Sequence, residues 1–442
     1  MKQQGSIPTS KVARATEFVK TGVKIGGNYI KHNVKKIVDP SISRDELHQD
    51  NAKDIYNSLS TLKGSALKVT QMLSMDKGLL PKAYRDKFTM SQYSAPPLSA
   101  PLVMKTFQKN FGKSPSELFD KFNISASNAA SIGQVHKAEK DGKQLAVKVQ
   151  YPGVAESIGA DLKMVKPIAI AMFNLNEKDV DRYMAEVESK LLEETDYRLE
   201  LKRSMEITRA CAHLEGIIFP RYYPQYSSDK ILTMDWLEGL HLKEFIETNP
   251  SQEIRNKIGQ LLWDFYDFQF HTLKQVHADP HPGNFLMRAD GSIGVIDFGC
   301  IKEIPETYYH DYFALLNFDN LDDKEKTDRI FRNLEFIVPS DSAEEKAFFT
   351  DLFTGMIHLL GKPFATDEFD FSDDEYFESV YAFADRLTKI EELKNSKVAR
   401  GSQHGLYVNR TYFGLYSILN ELRAKVTTHK PDWLVAKKAV LL

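Results

Sequence analysis

The side chains with the clearest capacity for chemistry lie in two neighbouring runs. One reads His277-Ala278-Asp279-Pro280-His281-Pro282-Gly283-Asn284, the other Gly294-Val295-Ile296-Asp297-Phe298-Gly299. An Asp with an Asn five residues on, then a short apolar strand ending in Asp-Phe-Gly, is the grammar of phosphoryl transfer. That reaction needs a divalent cation to neutralise phosphate charge. Magnesium takes hard oxygen ligands, which Asn284 and Asp297 offer. It also needs a carboxylate beside the attacking hydroxyl, the part Asp279 is placed to take. Phe298 is expected to pack and so to set the direction of Asp297. His277 and His281 read as packed or capping residues, since a neutral imidazole serves structure as readily as catalysis.

The upstream half supplies a cation. Lys148 stands in the alternating run Leu145 to Val149, a half-buried strand pattern, and is aimed at the phosphates of a nucleotide. A lysine so placed needs a carboxylate to hold it. One long helix over 178–206 offers Glu193, Glu194 and Glu200. Ser131-Ile132-Gly133-Gln134 lies one strand earlier, where a phosphate-covering loop belongs. Leu232 to Gly239, with Asp235 and Leu237, falls where a hinge should contact adenine. Each piece alone is weak, because most Asp-Phe-Gly tripeptides are turns and most strand lysines are solvated. The ordered set of Lys, Glu, Asp-x-x-x-x-Asn and Asp-Phe-Gly is hard to obtain by chance.

The elements that must carry these residues follow from periodicity. Over 10–38, Val12, Ala15, Val19, Val23, Ile30, Val34 and Ile37 recur at helical steps among many lysines. This basic amphipathic segment is either packed on its own domain or laid on an anionic membrane. A second helical run from Glu46 to Met75 has Ile55, Leu59, Leu62, Ala66, Val69 and Leu73 on one face, with Lys68 and Gln71 three apart. Prolines at 81, 96, 97 and 101 mark a connection. Ser131–Ala138 and Gln144–Gln150 then read as strands joined by Lys140-Asp141-Gly142-Lys143. Helices are expected at 155–173 and 178–212 and a strand over 230–236. Nearly everything after 250 is expected to be helical, apart from strand–loop–strand over 275–301. The fold class is α+β, a protein-kinase-like arrangement of two lobes with a helical extension. Its expected parts are a basic segment 1–44, an extension 45–114, a strand-bearing lobe 115–240 and a helical lobe 241–442.

Composition removes other classes. The chain has 442 residues, 42% apolar and 27% charged, with a net charge of −3. That is an ordinary globular balance with no global pull toward nucleic acid. Two cysteines, Cys211 and Cys300, make neither a disulfide framework nor a zinc site. The first residues lack the apolar core of a secretory signal, and no apolar stretch approaches the roughly 20 residues of a membrane span. A cytoplasmic protein, peripheral at most to a membrane, is expected.

Beyond that general grammar, the sequence resembles the UbiB (AarF-type) family of atypical protein-kinase-like proteins over roughly residues 45–420. The marks are Ala129-Ala130-Ser131-Ile132-Gly133-Gln134-Val135-His136, Ala146 to Val154 around Lys148, Glu194-Thr195-Asp196-Tyr197 with Glu200, and the run His277 to Asn284. The resemblance implies ATP and magnesium as cofactors, with ATP turnover that supports isoprenoid quinone biosynthesis at a membrane. It implies an alanine-rich phosphate loop, here Ala129, Ala130 and Ser131. It implies a Lys-x-Gly-Gln signature in an extension over the active site, here Lys68 and Gln71. It makes Glu194 the partner of Lys148, with Glu200 a second acidic contact. Thr70 replaces the signature glycine and Asn128 stands where an alanine is expected, two departures from the pattern. Anionic lipid and quinone-pathway intermediates or enzymes are the implied partners. Two rivals remain: a small-molecule kinase of the aminoglycoside or choline type, and a nucleotide-gated lipid-binding protein.

Overall fold

Asp141-Gly142 is a hairpin-turn signal in the sequence, and the backbone uses it as such. Both residues take positive φ, 50° and 74°, as a two-residue hairpin turn demands. They join β1 (Gly133–Lys140) to β2 (Lys143–Gln150), with Lys140 opposite Lys143. In this computed structural model the described residues are 45–62, 98–129, 132–173, 177–390 and 400–435. Glu392 and scattered positions between Thr16 and Lys35 are also described. The chain divides into two units, Met1–Met205 with Arg221–Trp236, and Glu206–Pro220 with Leu237–Leu442.

In the first unit, β2 pairs antiparallel with β3 (Ile231–Asp235), and the short strands Lys121–Phe122 and Asn128–Ala129 pair with β1. From Leu145 to Gln150 every residue of β2 is buried. The alternation read from sequence therefore marks a central strand covered on both faces, not a half-solvated one. One face packs on α2 (Ala100–Phe111), whose Phe107 meets Phe119 and Phe122 edge-on at centroid distances of 6.3 and 5.3 Å. The expected single helix over 178–206 is two helices, α4 (Glu177–Glu194) and α5 (Tyr197–Ala210), after α3 (Val154–Phe173). The physical reason is Asp196. Its carboxylate accepts from the backbone N–H groups of Arg198 and Leu199, at 3.1 and 3.0 Å, and so starts a new helix.

Before the sheet, α1 (Asp45–Leu62) buries Leu47, Asn51, Ala52 and Ile55. Its expected continuation, with Lys68 and Gln71, lies outside the described residues. The described positions between Thr16 and Lys35 are helical. Their buried side chains are Thr21 and His32, while Val23 and Ile30 are 71% and 68% exposed. Asn28 donates to Asn51 and Asp54 of α1, both at 3.0 Å, so this helix meets α1 through polar groups.

The second unit is mainly helical. α6 (Gln252–Phe268) is capped by Ser251 and runs into a π-helical turn, Gln269–Leu273, closed by Lys274 at φ 54°. Short strands follow: β4 (Gln275–His277), β5 (Phe285–Met287), β6 (Ile293–Val295) and β7 (Ile301–Glu303). β4 pairs with β7 and β5 with β6, matching the expected strand–loop–strand region. Helices α7 (Glu306–Ala314), α8 (Lys324–Asn333), α9 (Ala343–Leu360), α10 (Asp374–Lys389) and α11 (Gln403–Leu422) enclose a core around Trp263, Tyr266 and Phe270. One departure from the helical expectation is the pair β8 (Glu368–Asp370) and β9 (Lys425–Thr427), joined across α10 and α11. Gly259 lets α6 pack closely on the start of β9, since a Cβ there would lie 2.6 Å from that of Ala424.

Candidate active site

Lys148 sits in mid-sheet, opposite Val135 of β1 and Leu232 of β3. It is 6% exposed. Its ammonium lies 2.8 Å from Glu200 Oε1 and 5.1 Å from the centre of the Tyr197 ring. Tyr197 and Glu200 are one turn apart at the start of α5, so the new helix opened by Asp196 brings both to the lysine. The resemblance makes Glu194 the partner of Lys148 and Glu200 a second acidic contact; Glu200 forms an ion pair with Lys148. Glu194, also buried, ends α4. Glu193 is held by Lys190 and Arg203 at 2.9 and 2.6 Å. Gln150 Nε2 donates to Thr195 O at 2.9 Å and ties the end of β2 to the break between α4 and α5.

The candidate phosphate loop is described only at its edges. Ala129 pairs with Gln134 of β1, whereas Ala130 and Ser131 lie outside the described residues. Gly133 is confined: a Cβ would stand 2.6 Å from Val149 O and 2.8 Å from the Tyr197 hydroxyl. Gln134 Oε1 accepts from the Leu98 backbone N–H at 2.6 Å, and its Nε2 meets His136 Nε2 at 2.9 Å. Burial drives the His136 imidazole below its ordinary pKa. Of the expected hinge residues, Asp235 accepts from Tyr223 Oη at 2.7 Å and from the Arg221 backbone at 3.0 Å. Leu237 belongs to the second unit and packs on Gly294.

The second unit gathers the acidic residues. β4 delivers His277, which is fully buried, and its backbone N–H donates to Gln269 Oε1 at 2.8 Å. Beyond it Asn284 Nδ2 donates to the Asp279 carbonyl at 2.8 Å, closing the Asp-x-x-x-x-Asn loop on itself. His281 Nδ1 accepts from Gly283 N–H at 3.0 Å, the capping role its position suggested. Ile296 N–H donates to Asn284 O at 3.1 Å, which fixes Asp297 one residue beyond the loop's end. Asp297 Oδ1 accepts from Gly299 N–H at 2.8 Å, and Phe298 is fully buried against Phe219 and His277. The structure thus brings Asp279, Asn284 and Asp297 into one pair of hydrogen-bonded loops. With the Asn284 amide nitrogen so engaged, its oxygen is the atom left for a hard cation.

Arg410 is a participant that no motif announced. Its Nη2 lies 3.0 Å from Asp279 Oδ1, reaching over from α11. α11 passes the loop closely because Gly414 faces Pro280, where a Cβ would collide at 2.3 Å.

Sheet, helices and loops of this kind define a protein-kinase-like fold of the α+β class. The chain belongs to the ABC1 atypical kinase-like family, whose profile matches residues 90–329, more than half of its length. It is an enzyme family of atypical kinases, the one read from the motifs as UbiB. The mitochondrial atypical kinase COQ8 of Saccharomyces cerevisiae is 27% identical over 435 residues, covering 96% of this chain and 84% of the yeast protein. The atypical kinase COQ8B of Danio rerio is 24% identical, covering 96% of this chain and 68% of its own. Among solved structures, Rv3197 of Mycobacterium tuberculosis in complex with erythromycin aligns with a TM-score of 0.58 at 26% identity. That alignment covers 89% of this chain and 96% of the other.

Proposed function

We propose that this atypical kinase binds ATP with magnesium and turns it over as an ATPase or phosphotransferase in support of isoprenoid quinone biosynthesis. The observation that carries the reading is the buried Lys148–Glu200 pair. Desolvating two charges is costly, and an apolar pair of similar volume would stabilise the sheet as well or better. Keeping a cation there makes sense when it must meet a polyanion. Lys148 then holds the phosphates, oriented by Glu200 and the Tyr197 ring, with Glu194 a further acidic group. Asn284 and Asp297 would hold magnesium, which neutralises phosphate charge when bound. Asp279 accepts the proton of the attacking hydroxyl or water. Ala129, Ala130 and Ser131 cover the phosphates, Asp235 and Leu237 border adenine, and Lys68 and Gln71 close the site. Catalysis rests on positioning and charge, not on a covalent intermediate.

The working location is an anionic membrane surface. Val23 and Ile30 are strongly exposed, two helical turns apart on one face, and Lys20, Lys24 and Lys31 are exposed beside them. Two variants test the nucleotide reading. Lys148→Met together with Glu200→Leu, which replaces the whole buried pair, should retain the thermal midpoint, or raise it, while weakening ATP binding by about tenfold or more. Asp297→Asn should abolish the magnesium dependence of that binding. Unchanged ATP affinity in both variants would sink the assignment.

A further inference from the structure

The second unit contains a cavity that the catalytic residues do not use. It measures about 570 Å³, within the range of roughly 300–1,000 Å³ typical of small-molecule sites. Its polar walls come from five places: Asp267 at the end of α6, His271 in the π turn, Tyr309 on α7, Asp367 before β8, and His429 with Lys430 after β9. The rim is built firmly. Thr428 Oγ1 lies 2.7 Å from the carbonyls of both Pro363 and Thr366, and its N–H donates to Asp367 O at 2.9 Å.

The lining is electrically lopsided. Two aspartates, Asp267 and Asp367, and one lysine, Lys430, are among the lining residues. His271 adds no charge, because its side chain is 10% exposed and burial holds its pKa at about 3. A hydrogen-bonded chain fixes that imidazole: Trp433 Nε1 donates to Tyr309 Oη at 3.0 Å, and Tyr309 Oη meets His271 Nδ1 at 2.9 Å. His271 Nε2 has no hydrogen-bond partner among the described residues, and Asp267 Oδ1 stands 3.6 Å away, beyond hydrogen-bond reach. A negative polar cavity of this size favours a cation larger than a metal ion.

The cavity wall is also tied by a hydrogen bond to the strand that leads into the catalytic loop. π turns are rare and mark functional sites more often than ordinary helix does. This one carries His271 into the cavity wall. Its first residue, Gln269, is fully buried, donates to Phe265 O at 3.0 Å and accepts from the His277 backbone at 2.8 Å. His277 opens the run that ends in Asp279 and Asn284. Tyr309, hydrogen-bonded to His271, lies on the helix that follows β7, the strand after Asp297.

We propose that this cavity binds a small aliphatic amine, and that its occupancy is transmitted through the π turn and Gln269 to the catalytic loop. The binding half is independent of the proposed ATP turnover, and the transmission half rests on it. The test titrates the full chain with spermidine at matched ionic strength, with sorbitol and inorganic phosphate as comparators, following both thermal midpoint and ATP hydrolysis. Spermidine alone should raise the midpoint saturably. Asp367→Asn and Asp267→Asn should each weaken that binding about tenfold and leave basal hydrolysis unchanged. Saturating spermidine should change the kcat of the unaltered protein about fivefold or more. In Gln269→Met it should still bind but leave kcat unmoved. Absence of a saturable shift, an equal shift with sorbitol or phosphate, or unchanged affinity in both aspartate variants would overturn the site. Binding with no change in kcat of the unaltered protein would overturn the transmission. A chain that binds spermidine but hydrolyses no ATP would count against the proposed turnover and leave the cavity assignment standing.

Discussion

Arg410 and Asp279 are separated by 131 residues of sequence and meet at 3.0 Å. A guanidinium carried on α11 helps hold the carboxylate in one direction, and removing it takes that restraint from Asp279. Misplacing a reacting group by about 1 Å is enough to cost on the order of a hundredfold in rate. Arg410→Gln is therefore expected to lower kcat for ATP hydrolysis about a hundredfold while the KM for ATP changes little. Arg410→Lys should recover part of the loss, since an ammonium can hold one oxygen but not present the planar fork. Steady-state kinetics of the three proteins decide it, and a variant with normal kcat would reduce Arg410 to a structural ion pair. This contact was illegible in the sequence because an arginine on a helix carries no local signature. The loop residues were legible for the opposite reason, their spacing being the chemistry. Glu200 stands between these cases. It was visible as an acidic candidate, but its direction depends on where α5 begins, and Asp196 resets that phase.

Elements explain which local readings succeeded. The hairpin of β1 and β2 was plain because Asp-Gly sets both strand ends and their register. The pair β8 and β9 was not, because Glu368 faces Thr427 across a long helical stretch that includes α10 and α11, and neither strand exceeds three residues. The π turn has no sequence signal either; it is a register choice made by packing. Within the first sheet two predictions belong to β1. Gly133→Ala would press a methyl against Val149 O and the Tyr197 hydroxyl. Overpacking of that order costs about 1–3 kcal/mol. Because the Tyr197 ring lies beside the Lys148 ammonium, ATP affinity should fall with stability, which denaturant titration and nucleotide binding can follow together. His136 gives a pH dependence. Its folded pKa lies below the ordinary 6.5 because of burial, so the unfolded chain takes up the proton first. Its contribution to stability is thus complete above pH 6.5 and is lost as pH falls from there toward the folded pKa. His136→Asn should flatten the acid decline of the thermal midpoint, and an unaltered decline would rule the residue out as its source.

For the whole molecule, the order of helical extension, strand-bearing part and helical part was readable from shifts in periodicity. What the early helix does with its apolar residues was not, because amphipathic periodicity is the same for a packed helix and a membrane-facing one. The structure weighs on this choice. A helix packed in the usual way would bury Val23 and Ile30; here Thr21 and His32 are buried instead, and Asn28 binds α1. Exposed apolar side chains with lysines beside them fit an interface whose depth is apolar and whose surface is anionic. Each side chain so buried contributes up to about 1.5–3 kcal/mol, and each nearby lysine about 1 kcal/mol. Val23→Glu with Ile30→Glu removes the apolar term and opposes the electrostatic one. Binding of the full chain to phosphatidylglycerol vesicles should then drop by about tenfold or more. Binding to phosphatidylcholine vesicles should be weak for both proteins, and added salt should release the unaltered chain. Both positions are exposed, so the thermal midpoint should hold. A double variant that still floats with anionic vesicles as the unaltered chain does would show that this helix face is not the contact, and the lysines elsewhere in the chain would have to carry any attraction alone.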